Sequence, residues 1–112
     1  MNIAASGSGH QKGGRYMSEN GENTIQDLYD LILGRRENPV EGSYTNYLFS
    51  KGSDKICKKV GEEAFEVVIA ATSDKTQDII YELADLQYHL LVLMAEKGIT
   101  PDDVYNELKN RR

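Results

Sequence analysis

A chain of 112 residues with 39% hydrophobic content has room for one domain with a modest core, and so small a core gains from burying a further face against a second copy. Its 18 acidic and 13 basic residues give a formal charge of −5, which excludes the broad basic surface of a nucleic-acid binder. The single cysteine, Cys57, excludes an internal disulfide and a cysteine-built zinc site and reads as a small packing residue, while no apolar run approaches the roughly 20 residues of a membrane-spanning helix.

Residues 1–16, MNIAASGSGHQKGGRY, are rich in Gly and Ser, have no hydrophobic period and precede Met17. They read as an expression leader, with a native flexible tail as the alternative, and residues 17–112 as the domain. Without the apolar stretch of a signal peptide, a cytoplasmic protein is expected.

The punctuation after that is helical. Thr24 with Asp27 resembles a capping box, Ile25, Leu28, Leu31 and Ile32 form an amphipathic stripe, and Gly34 supplies a stop. A loop over 35–43 and a short helix over 44–50 follow. Ser53 or Asp54 is expected to cap a second long helix reaching about Ala71, and Asp74 with Gln77 a third, which stops at Gly98. Thr100-Pro101-Asp102-Asp103 opens a fourth. No strand pattern emerges, so the expected fold is all-α: a small bundle of four main helices, completed by dimerisation.

Residues on an α-helix advance by about 100° each. In the second long helix this puts Ile56, Val60, Ala64, Val67, Val68 and Ala71 on one face and Glu62, Glu63, Glu66 and Lys59 on the other. That acidic patch alone reads as a solvated face with Lys58–Glu62 and Lys59–Glu63 pairs. In the third helix Asp78, Glu82, Asp85 and His89 form a narrow stripe flanked by apolar and aromatic residues on both sides. A helix apolar almost all round is normally buried, and several buried carboxylates repel one another unless something compensates.

A cation is the natural compensator. Ligands that are all oxygen match a hard ion such as Mg²⁺ or Mn²⁺ better than zinc, and magnesium is the expected cofactor. Glu62 with Glu66, and Glu82 with Asp85, lie about one turn apart, so two antiparallel helices can present both pairs to one site. His89 reads as a structural, hydrogen-bonded residue, with a proton shuttle or a phosphate contact as the alternatives. A di-iron bundle would need Glu-x-x-His motifs, which this chain lacks.

Glu62-Glu63-x-x-Glu66 followed by Glu82-x-x-Asp85 is similar to the signature of the all-α nucleoside triphosphate pyrophosphohydrolases. Gly42-Ser43-Tyr44-Thr45, the run 52–66 (GSDKICKKVGEEAFE) and the run 82–93 (ELADLQYHLLVL) resemble its phosphoribosyl-ATP pyrophosphohydrolase branch, over roughly residues 24–111. The resemblance implies magnesium bound by Glu62, Glu63, Glu66, Glu82 and Asp85. It also implies hydrolysis of phosphoribosyl-ATP between its α and β phosphates, yielding phosphoribosyl-AMP and pyrophosphate in the second step of histidine biosynthesis.

Phosphoryl transfer needs charge neutralisation and a water held in line, for which Glu62 or Glu63 is the expected general base. Lys51, Lys55, Lys59 and Arg35 are the expected substrate contacts, to the phosphates or to the extra ribose phosphate. Two other functions fit part of the pattern: a house-cleaning pyrophosphohydrolase acting on non-standard triphosphates, and a non-catalytic helical interaction module. Tyr81, Tyr88, Leu91 and Val92 are the expected added contacts of a homodimer.

Overall fold

The computed structural model describes residues 24–112, so the segment read as a leader lies outside the described residues. Five helices follow in order: α1 (Thr24–Glu37), α2 (Tyr44–Lys51), α3 (Ser53–Ser73), α4 (Thr76–Lys97) and α5 (Pro101–Asn110). The described residues include no strand, and the protein is all-α. The four long elements have the short α2 as a fifth.

Several boundaries differ from the sequence reading, each for a local reason. α1 runs through Gly34 to Glu37, because the Asn38 N–H still bonds the Gly34 carbonyl at 2.8 Å and Arg36 donates to the Ala95 carbonyl of α4. Tertiary contacts there outweigh the intrinsic cost of a helical glycine, roughly 1 kcal/mol. The cap of α3 is Gly52 at φ 88°, and the Ser53 hydroxyl instead donates to Glu96 at 3.0 Å, tying the start of α3 to the end of α4. Asp74 does not open α4. It closes α3 in the left-handed conformation at φ 63°, which aspartate tolerates better than most residues, and Lys75 precedes α4.

The ends of α4 and α5 match their signals. Gly98 is left-handed at φ 72°, and the bonds Gly98 N–H to Ala95 O and Ile99 N–H to Met94 O complete a Schellman stop. Thr100 and Asp103 form a reciprocal capping box over Pro101. The Tyr29 hydroxyl of α1 donates to the Ile99 carbonyl at 2.7 Å and latches this corner to the bundle.

α3 and α4 form an antiparallel hairpin that turns at Asp74 and Lys75. Only its open end is enclosed. There α1 and α2 pack on the start of α3 and the end of α4, burying Tyr29, Ile32, Leu48, Ile56, Tyr88, Leu91, Val92 and Ala95 in one core. Each large side chain so buried contributes about 1.5–3 kcal/mol of hydrophobic stabilisation. The turn end is uncovered, with Phe65 63%, Val68 57% and Leu83 48% exposed.

Four expectations are therefore corrected. The inward seam of α3 runs through Ile56, Glu63 and Ala70, whereas Val68 and Ala71 face outward. α4 is buried only in its second half. Tyr88, Leu91 and Val92 belong to the chain's own core, and of the predicted dimer contacts only Tyr81 is exposed. Cys57 is also exposed, because it follows Ile56 on the outer side of α3.

Candidate functional site

The acidic stripe of α4 faces α3, and its burial rises along the helix. Asp78 is exposed near the turn, Glu82 is half-buried, and Asp85 and His89 are buried against the core. Glu63 meets this stripe from α3. One carboxylate oxygen from each of Glu63, Glu82 and Asp85 lies within 4.8 Å of the others, with Glu63 at 4% and Asp85 at 1% exposure.

Such crowding affects the acids in a readable direction. Burial, with the charge of Glu63 beside it, raises the pKa of Asp85. Burial also raises that of Glu82, helped by Glu66, Asp85 and Glu63. Both shifts mean that the folded protein resists this concentration of negative charge. An all-oxygen donor set of this charge fits a hard divalent cation, which would stabilise the ionised carboxylates.

The remaining predicted acids lie around this group. Glu62 is outside it, with its side chain 47% exposed, and its Oε1 accepts from Lys59 Nζ at 3.2 Å. The hydrogen bond from Lys59 holds the Glu62 carboxyl below its ordinary range. Lys59 also reaches Glu63 Oε2 at 3.5 Å, so one half-buried ammonium bridges both glutamates. Burial works against the charge of Lys59, but bonding to Glu62 and Glu63 outweighs it and the pKa rises. Glu66 lines an open cleft of about 230 Å³ between the helices, together with Asp78, Glu82 and Tyr81.

The predicted basic contacts are dispersed. Arg35 Nη1 donates to Ser43 Oγ at 3.5 Å at the start of α2. Lys51 and Lys55 lie against the Tyr47 ring, 5.7 and 6.0 Å from its centroid. Neither approaches the carboxylate group as Lys59 does.

His89 ties the site to α2. Its Nδ1 lies 2.8 Å from the Asp85 carbonyl, which can only accept, so Nδ1 carries the proton and Nε2 accepts from the Tyr44 hydroxyl at 3.0 Å. Burial lowers the pKa of His89, which favours this neutral form. Thr45 and Tyr88 share a further buried hydrogen bond, and burial pushes the Tyr88 hydroxyl up to about 12. Sequence reasoning gave no role to Tyr44 or Tyr47. The available signal was the i, i+3, i+7 spacing of Tyr44, Tyr47 and Lys51, which shares one helix face.

Comparison with known proteins covers the same elements. The sequence is 61% identical over 94 residues to a histidine biosynthesis bifunctional protein of Caldanaerobacter subterraneus subsp. tengcongensis, covering 84% of this chain and 46% of that protein. It is 64% identical over 87 residues to the phosphoribosyl-ATP pyrophosphatase of Listeria monocytogenes serotype 4a, covering 78% of this chain and 84% of that one. The corresponding protein of Clostridium botulinum strain Hall is 53% identical over 93 residues, 83% of this chain and 84% of its own length. The chain thus spans less than half the length of the bifunctional relatives it matches. The family profile described as phosphoribosyl-ATP pyrophosphohydrolase matches residues 25–112, a span that includes the carboxylate group, the Tyr44–His89 link and the whole α3–α4 hairpin, and the chain belongs to that family.

Proposed function

We propose that this protein hydrolyses phosphoribosyl-ATP to phosphoribosyl-AMP and pyrophosphate, as a magnesium-dependent, cytoplasmic enzyme of histidine biosynthesis that works as a homodimer. The observation that carries this reading is the convergence of Glu63, Glu82 and Asp85 within 4.8 Å on two paired helices. Family membership and the names of relatives matched over most of their length support this choice of substrate.

In this reading Glu63, Glu82 and Asp85 hold the ion, and Glu66 completes the set from the adjoining cleft. Held there, Mg²⁺ would supply neutralising charge for the phosphate oxygens. Glu62 is the better placed general base, since it stands outside the carboxylate group and Lys59 keeps it ionised. Its Oε2, the oxygen that Lys59 does not hold, accepts the proton of the attacking water as the oxygen bridging the α and β phosphates departs with pyrophosphate. Lys59 balances the charge of Glu62 and Glu63 between turnovers.

Dimerisation is supported by the uncovered turn end of the hairpin. Phe65, Val68 and Ile69 of α3 with Ile80, Tyr81 and Leu83 of α4 are all exposed, and exposed apolar side chains gathered on one hairpin favour a protein contact. Pairing with a second copy would cover it.

Pyrophosphate release tests the function directly, measured on phosphoribosyl-ATP beside dUTP and the common triphosphates, with and without Mg²⁺. The expected result is magnesium-dependent release, fastest on phosphoribosyl-ATP. Faster turnover of a plain triphosphate would instead identify a house-cleaning enzyme. No turnover, together with no thermal stabilisation by millimolar Mg²⁺, would leave a helical interaction module.

A further inference from the structure

Tyr47 stands on the exposed face of α2 with its ring 6.0 Å from that of Tyr44, the two nearly parallel at 26°. Lys51 from the end of α2 and Lys55 from the first turn of α3 both bring their ammonium groups against this one ring, at 5.7 and 6.0 Å. Among the described residues neither makes an ion pair, although the chain carries a net charge of −5. Two like charges set against one aromatic ring repel each other, and the ring quadrupole offsets this only in part. A phosphate dianion would offset it fully.

The distance from the acidic group says which phosphate. Lys55 precedes Glu63 by eight residues on α3, about 12 Å at the 1.5 Å rise of a helix, and Lys51 is about 10 Å along α2 from Tyr44, whose hydroxyl meets His89. Lys59 is the lysine bonded to this acidic group, while Lys51 and Lys55 are set back from it by these roughly 10–12 Å of helix. The stacked pair of Tyr44, which meets His89, and Tyr47, which meets the lysines, lies between the two.

Building on the proposed function, we infer that Tyr47, Lys51 and Lys55 form a separate subsite for a sugar phosphate monoester, which takes the ribosyl phosphate that distinguishes phosphoribosyl-ATP from ATP. The two ammonium groups bind the phosphate, and the Tyr47 ring positions them and supports the sugar.

The test compares binding of phosphoribosyl-AMP and AMP by calorimetry, with Mg²⁺ present, in the wild type and in the double variant Lys51→Gln, Lys55→Gln. Neither lysine makes an ion pair among the described residues, so the variant is expected to melt with the wild type. Wild type should bind phosphoribosyl-AMP about tenfold or more tighter than AMP, a gain in line with two charge-assisted hydrogen bonds to one phosphate. The variant should lose most of that ratio while its AMP affinity stays unchanged. A ratio preserved in the variant would overturn the subsite while leaving the proposed function standing. Equal loss of AMP and phosphoribosyl-AMP binding, or selective loss of pyrophosphate inhibition, would place the lysines on the polyphosphate end and also overturn it. A wild type that turns over only plain triphosphates would remove the proposed function, and the inference with it.

Discussion

The two ends of the α3–α4 hairpin are built from similar residues and treat them in opposite ways. At the open end Ile56, Tyr88, Leu91 and Val92 are at most 1% exposed, because α1 and α2 close over them. At the turn end Phe65, Val68, Ile69, Ile80, Tyr81 and Leu83 are each about half exposed or more, because none of the other helices reaches that far. Between them lies the carboxylate group. The hairpin thus has one end that stabilises the fold and one end free to meet something else, with the charged centre at the boundary, where burial is deep enough to fix the acids and open enough to admit a ligand.

The largest effect is expected at that boundary. Glu82→Gln and Asp85→Asn are nearly isosteric changes that remove one negative charge each from the proposed divalent-ion site. Pyrophosphate release should fall by more than about a hundredfold, since even outer-sphere partners of a metal can be worth that much. Without magnesium both variants should melt at or above the wild-type temperature, because mutual repulsion is relieved. Adding Mg²⁺ should raise the wild-type melting temperature more than either variant's. Equal gains would remove helix α4 from the ligand set.

A second comparison sets the two ends against each other in stability. Ile56→Ala at the closed end should cost about 2–5 kcal/mol in urea unfolding. Val68→Ala at the turn end should cost less than about 0.5 kcal/mol in dilute protein. If the two costs were alike, the turn end would be as well covered as the core.

Oligomeric state sharpens the same contrast. Light scattering across a dilution series should show dimers in the wild type, and Val68→Asp should dissociate them without altering the far-ultraviolet spectrum. A wild type monomeric at all concentrations would leave the apolar turn end without its proposed cover.

The smallest effect is a pH dependence of the metal-free protein. Asp85 and Glu82 have folded pKa values raised by burial, so the folded state binds their protons more tightly than the unfolded chain does. Their contribution is fully present below the ordinary carboxylate pKa and is lost as pH rises through the raised values. Melting temperature should therefore carry a declining component over that window, and millimolar Mg²⁺ should diminish or reverse it. Asp85→Asn should flatten the metal-free profile. An unchanged slope in that variant would assign the dependence to other groups.

Much of the fold was legible because its signals are local. The Thr100-Pro101-Asp103 start, the Gly98 stop and the absence of any alternating pattern depend on neighbouring residues only, and α5, the end of α4 and the all-α class follow from them. Local signals failed where a distant partner took over. Gly34 lies inside a helix because Arg36 reaches α4, and Ser53 gives its hydroxyl to Glu96 rather than to its own backbone.

The sequence by itself determined which carboxylates share a helix face, because that depends on a fixed angular step per residue, and so it fixed the Asp78–His89 stripe. It could not decide how far each helix is rotated about its axis, since both faces of α3 carry apolar residues and apolar pattern alone does not say which is covered by α4 and which is left exposed. Packing decided that. It turned Glu63 inward to Glu82 and Asp85, left Glu62 outside with Lys59, and exposed Val68. The reason is physical: the rotation of a helix is set by the sum of its contacts with other elements, and those contacts exist only once the elements have met.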